Sequence, residues 1–298
     1  MITPAPGRVR ARLVACTAFA LVSFASNSVL CRMALGASEA DPAAFTGVRL
    51  LSGALALWLL ASTRRQNRRT GSPWISAFLL FAYAAAFSFA YLGLSVGTGA
   101  LVLFGSVQAT MLLAALRSGE RPHPLQWAGL VLALAGLVVL VFPGLRAPAP
   151  GASALMAIAG ISWGIYSLRG RGSSAPLADT ARNFRLTLPY VALLVLLGLR
   201  SLHASPRGLA LAVLSGAIAS GVGYVAWYAA LAGLTATRAA TLQLTVPVLA
   251  ACGGVVLLGE SVGLRLLLAG AMILGGVGLA VGSGQARESG TRRAARRD

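Results

Sequence analysis

The chain has no lysine, only seven acidic residues, two histidines and three cysteines in 298 residues. Each shortage removes a class of protein. Charged residues make up 11% of the chain and hydrophobic ones 57%, whereas soluble domains usually carry about 25% charge, so a soluble globular domain is excluded. Cys16, Cys31 and Cys252 lie in or at the ends of apolar stretches without CxxC spacing. They read as small buried hydrophobes, not as a disulfide framework or a metal site, and no cofactor is expected. The acids are Glu39, Asp41, Glu120, Asp179, Glu260, Glu288 and Asp298, and all fall in loops, at span ends or in the tail, as do His123 and His203. A proton-driven carrier usually keeps a carboxylate or histidine within its spans, so this placement weighs against proton antiport. It weighs more heavily against a membrane enzyme. No Ser-His or Asp-Asp pair lies in the apolar stretches, and no acidic cluster could hold Mg²⁺.

What is present is apolar sequence in runs of about 20 residues, the length of a spanning helix. Ten spans are predicted at 12–34, 43–62, 74–94, 96–116, 125–143, 152–168, 178–199, 207–232, 235–257 and 262–282. The sixth is short and interrupted. All 25 basic residues are arginines, giving a net charge of +18. That charge could suggest nucleic acid, but its placement speaks for a bilayer. Arg8, Arg10, Arg64, Arg65, Arg68, Arg69, Arg117, Arg121, Arg169, Arg171 and the five arginines of the tail all fall on one side of a ten-span chain. The positive-inside rule puts that side, with both termini, in the cytoplasm. The loop Ser38-Glu39-Ala40-Asp41 then faces out. A cleaved signal peptide over residues 8–37 is the alternative, but removing it would break the internal symmetry.

That symmetry is a duplication. Ala100 to Glu120 falls on Ala240 to Glu260 without a gap, and each half reaches a Gly-Glu, Gly119-Glu120 or Gly259-Glu260, before a Gly-rich closing span. Five spans per half is an odd number, so the second copy starts on the opposite side and lies inverted. Inverted repeats are the construction plan of many secondary transporters. The domains are therefore an arm at 1–11, a first five-helix repeat at 12–143, an inverted second repeat at 152–282 and an Arg-rich tail at 283–298.

Polar and aromatic residues inside the spans are the pathway candidates. Ser23 and Asn27 are four apart and share a helix face. A polar face toward lipid is costly, so it should look into the bundle, either onto a cavity or as interhelical hydrogen-bond glue. At an offset of 139 residues Ser23 meets Ser162, Phe24 meets Trp163, Asn27 meets Tyr166 and Arg32 meets Arg171. Trp163 sits well inside its span, away from the headgroup belt where Trp is usual. Tyr83, Phe87 and Tyr91 form one stripe of the third span, and Tyr224 and Tyr228 one of the eighth. The fourth and ninth spans add Gln108, Gln243 and Pro247, the last a candidate helix break. Arg49, Arg182 and Arg185 lie one or two turns inside their spans. They could snorkel or bind a substrate carboxylate, and Arg49 is the strongest candidate for the second role. The fifth and tenth spans are aliphatic and Gly-rich, including Gly278-x-x-x-Gly282, and read as peripheral packing helices or a homodimer contact.

These features together resemble the EamA-type carriers of the drug/metabolite transporter superfamily over about residues 12–282. The resemblance rests on the two Gly-Glu sites, the Gly-rich closing spans, Trp163, Arg49 and Pro247. Phe24 departs from it, standing where Trp is usual, and Gln108 stands where a proline is common. The resemblance implies an all-α fold in which four helices of each half surround a cavity. It also implies bacterial inner-membrane transport of small metabolites, often export of amino acids. A site of rings and amides suits a neutral or zwitterionic solute, and aromatic or bulky apolar amino acids are the narrower expectation. Alternating access by facilitation or exchange is the expected mechanism. A proton-coupled multidrug or cation exporter and a non-transporting scaffold stay open as alternatives.

Overall fold

The computed structural model describes residues 6–62, 73–117, 124–141, 148–170, 173, 175–231, 242–243, 245–276 and 278–279. Gly119-Glu120, Arg64 to Arg69, Arg171, Gly282 and the arginine tail lie outside them. The described residues are helical, without a named strand. In chain order the helices are α1 Pro6–Gly36, α2 Pro42–Ser62, α3 Pro73–Ala90, α4 Val96–Arg117, α5 Pro124–Val141, α6 Pro150–Gly170, α7 Pro176–Leu186, α8 Leu188–Leu197, α9 Pro206–Val213, a π-helical segment Leu214–Val222, α10 Gly223–Leu231 and α11 Thr245–Leu258. The short apolar helix α12, Leu264–Gly276, follows. Pro42, Pro73, Pro124, Pro150, Pro176 and Pro206 each open a helix, the position where a proline's fixed φ is preorganised and its missing N–H costs nothing.

Five helical stretches are long and apolar enough to cross a bilayer: Leu13–Gly36, Pro42–Ala61, Pro73–Ala90, Pro150–Gly170 and Pro206–Ala230. The sixth span, expected to be short and interrupted, is one of these, an unbroken helix of 21 residues. The seventh differs the other way. It divides at Thr187, whose hydroxyl donates to the Phe184 carbonyl at 2.6 Å just ahead of Pro189. Cys31 is buried as expected, but Cys252 is exposed and Cys16 half-buried, each on an outward helix face. Large side chains such as Trp58, Val131, Leu197 and Val256 also face outward. A surface this apolar suits lipid.

Two reciprocal contacts organise the bundle. Helix α6 packs against α3 and α4, and α1 packs against α10, the π segment and α11. The first helix of each half thus lies on the third and fourth of the other. Glycines permit the approach: an added Cβ on Gly160 would meet the Leu103 carbonyl at 2.5 Å, and one on Gly223 the Ser23 Cβ at 2.8 Å. Helices α5 and α12 also meet. Gly136 lies under Met272 and Ile273, and Gly276 lies against the backbone of Gly129 and Ala133.

One end of the bundle is stapled. Asp41 caps α2, accepting from the amides of Ala43 and Ala44 at 2.8 and 3.1 Å, and its other oxygen accepts from the His203 amide at 2.8 Å. Ser205 caps α9 through Gly208 N–H at 3.0 Å while donating to Glu39, which pairs with Arg207 at 3.6 Å. A third staple uses the Gly-Glu motif. Gly259, at φ +64°, ends α11 in the left-handed region, its N–H donating to the Val255 carbonyl at 3.1 Å. Glu260 then receives the Val96 amide at the start of α4 at 2.8 Å and pairs with Arg32 at 3.5 Å. Arg32 also donates to the Tyr91 carbonyl at 2.9 Å.

His203 adds a titratable contact at this end. Its ring nitrogens face the carbonyls of Ser201 and Ser38 at 3.1 and 3.2 Å, and these acceptors, Ser201 first, raise its pKa above the usual 6.5, with Asp41 adding to the effect. The imidazolium donates to both carbonyls and the neutral ring to only one. A raised folded pKa stabilises below the unfolded value, and the gain is lost as pH climbs through the folded one. His203→Gln should therefore lower the melting temperature more at about pH 5.5 than at about pH 8.5. An equal loss at both would show that the ring only fills space.

Candidate substrate site

Arg49 is the centre of the site. It lies two turns into α2, on the face that meets α3 and the π segment, and is 1% exposed. Its Nε donates to Ser220 Oγ at 3.2 Å and Nη2 to Tyr83 Oη at 3.1 Å. Nη1 is buried with no hydrogen-bond partner among the described residues. The guanidinium carbon lies 5.3 and 5.0 Å from the ring centroids of Tyr83 and Phe87, a cation–π arrangement on both. Snorkelling is thereby overturned. The side chain turns inward, because two ring faces and two hydroxyls on neighbouring helices receive it.

The π segment supplies the next layer. Ser220 Oγ, which accepts from Arg49, donates to Asn27 Oδ1 at 3.4 Å, and Ser215 Oγ donates to the same oxygen at 2.7 Å. Residues five apart on an α-helix diverge by about 140°. The i→i+5 repeat of a π-helix brings Ser215 and Ser220 onto one face, and such segments cluster at functional sites. The chain Arg49–Ser220–Asn27 thus joins α2, the π segment and α1.

Rings close the rest. Trp163 of α6 lies 5.0 Å from Tyr83, 5.6 Å from Tyr166 and 4.9 Å from Tyr224 between ring centroids. Phe24 of α1 stands edge-on to Trp163, Tyr224 and Trp227 at 6.1, 5.9 and 5.6 Å. Phe87 links Tyr83 to Tyr91 at 5.6 and 4.8 Å. A continuous file of rings therefore runs from Tyr91, beside Val96 at the stapled end, to Trp227.

The structure brings Asn27, Arg49, Tyr83, Phe87, Trp163, Tyr166 and Tyr224 into one buried cluster, and buries Ser23 against Gly223, the neighbour of Tyr224. Tyr166 is held by Asn183 Nδ2, which donates to its hydroxyl at 3.4 Å. Gln108 is half-buried on α4, with an unpartnered Nε2, and Gln243 is buried just ahead of α11. Neither hydrogen-bonds to the cluster among the described residues. Pro247 stands in the first turn of α11, where a missing N–H takes no bond from that helix. Sequence reading did not single out Ser215, Ser220 or Phe184. Two serines in an otherwise aliphatic run were the available signal. Among the described residues no group of three His, Cys, Asp or Glu could hold a metal.

Apolar helices interlocked around a buried polar and aromatic centre have the architecture of a multi-pass membrane protein. The comparisons name the family. Residues 12–142 and 151–282 each match the EamA-like transporter family, to which the chain belongs. An uncharacterized protein of Pseudomonas aeruginosa is 49% identical over 272 residues, 90% of this chain and 94% of its own. The uncharacterized transporter YwfM of Bacillus subtilis is 29% identical over 258 residues, 81% and 86% of the two chains. A solved crystal structure, 22% identical, shares the fold with a TM-score of 0.62 over 88% of this chain and 98% of that one.

Proposed function

We propose that this transporter moves small neutral or zwitterionic metabolites, chiefly amino acids with aromatic or bulky apolar side chains, out across the bacterial inner membrane. Ten helices in two inverted halves, with cytoplasmic termini, carry out alternating access around the Arg49 cluster by facilitation or exchange. Export matches what the family resemblance implies. The observation that carries the reading is Arg49. A buried guanidinium with an N–H unpartnered among the described residues, lying over Tyr83 and Phe87, with Trp163 packed on Tyr83, offers a carboxylate anchor beside an apolar wall. The same charge opposes the cationic-drug alternative. The staples support the ten-span order, which puts the ends of α1, α8 and α11 and the starts of α2, α4 and α9 on one side. Those are the ends that Asp41, Ser205 and Glu260 join.

Uptake into proteoliposomes of labelled aromatic, branched and small amino acids, a sugar phosphate and a cationic drug tests this. Selective uptake of the bulky neutral amino acids is expected. Uptake confined to the phosphate or the drug would overturn the substrate class, and a dependence on an imposed pH gradient would overturn facilitation.

A further inference from the structure

We propose that the site reads a substrate's carboxylate but not its ammonium, so that beside amino acids it carries, and prefers, bulky apolar monocarboxylate anions, whose export the membrane potential drives. The inference rests on the reading of the Arg49 cluster as the substrate site. It follows from the charges the bundle holds. Glu39, Asp41, Asp179 and Glu260 are the acids among the described residues. Glu39, Asp41 and Glu260 belong to the staples, and Asp179 lies in the first turn of α7, bonded to Ser173. None pairs with Arg49, whose hydrogen bonds go to two neutral hydroxyls. A buried charge without a counter-charge is strongly unfavourable, and a carboxylate reaching Nη1 neutralises it.

An ammonium finds no such welcome. The Asn27 oxygen already accepts from two serines. Ring faces could receive a cation, but the rings of this cluster already pack closely on one another. Phe24 meets Trp163, Tyr224 and Trp227 at interplanar angles of 74°, 70° and 69°. The guanidinium over Tyr83 and Phe87 would repel a second cation there. A zwitterion therefore leaves the loaded site with an uncompensated positive charge, whereas an anion leaves it neutral. The asymmetry also supplies a driving force without an internal proton carrier. The anion moves one negative charge outward, and an inside-negative potential favours that movement.

The test uses the purified full chain in proteoliposomes, with protein-free vesicles as blank. Three labelled solutes of one shape are compared: L-phenylalanine, 3-phenyllactate, in which a hydroxyl replaces the ammonium, and 2-phenylethylamine, which lacks the carboxylate. Valinomycin and potassium gradients set the potential. Phenyllactate should accumulate about 50-fold at about 100 mV, inside positive. Phenylalanine should enter less and ignore the potential, and phenylethylamine should stay at blank. Arg49→Gln should bring phenyllactate to blank, with Arg49→Lys retaining part of the uptake. Should Arg49→Gln fail to fold, the three solutes on the wild type decide alone. Phenylalanine entering where phenyllactate does not would overturn this inference and leave the amino-acid reading standing. Uptake of phenylethylamine, or phenyllactate uptake blind to the potential, would overturn the anion reading. No uptake of any solute would overturn both.

Discussion

Trp163→Ala should cost the protein about 3–5 kcal/mol of stability, the usual loss when a large aromatic is cut from a packed centre. For a chain this long that is a fall of about 6–20 °C in melting temperature. The cause is the number of rings that lose their neighbour at once. Tyr83, Tyr166, Tyr224 and Phe24 all pack on the indole. Substrate affinity should fall further, by about 30-fold, as when a central aromatic anchor is truncated. Trp163→Phe should recover most of the stability and part of the affinity. Thermal melting in detergent, beside the apparent affinity for the best substrate of the uptake panel, separates the two effects. A lower melting temperature with unchanged affinity would make Trp163 a packing residue and remove it from the pathway.

Gly216→Val should be as damaging for a different reason. A Cβ at Gly216 would run into the Arg49 carbonyl and the Ser52 hydroxyl, and one at Gly53 would meet Phe184 at 2.6 Å and the Gly216 carbonyl at 3.0 Å. Here two backbones touch, and no side-chain rotation can make room. Valine must push the π segment away from α2, costing about 3 kcal/mol or more. Ser220 would be carried off Arg49 in the same movement, so transport should fall even where folded protein is recovered. Gly216→Ala should be milder. Gly263→Ala, with nothing within 4 Å of the added carbon, should melt like the parent. Parent-like melting of Gly216→Val would show that the segment can shift freely.

The inward faces were legible from composition alone. Asn27, Ser23, Tyr83 and Trp163 are polar or amphipathic groups deep in apolar spans, and burial inside a bundle is the cheap solution for them. Arg49 was only half legible. Position along a helix gives its depth, but whether it reaches outward or inward depends on Tyr83, Phe87 and Ser220, which arrive from other helices. The π segment was not legible, because Leu214 to Val222 has the same apolar texture as its flanks. Its contacts with Asn27 and α2 come from parts of the chain far away in sequence. The division at Thr187 had a signal in Pro189, which bars a regular continuation. The Gly-Glu motif was visible as a repeat, but its work, joining α11 to α4 and α1, emerges only once three chain ends meet.

The crossing of α5 with α12 sets a timetable for synthesis. Gly136 finds Met272 and Ile273, and Gly276 finds Gly129 and Ala133, so the two glycine partners are 140 residues apart in the chain. At ordinary translation rates about 7–28 s separate their emergence from the ribosome. For that interval the face of α5 that packs on α12 has no partner from this chain, and this contact cannot form until α12 has been made.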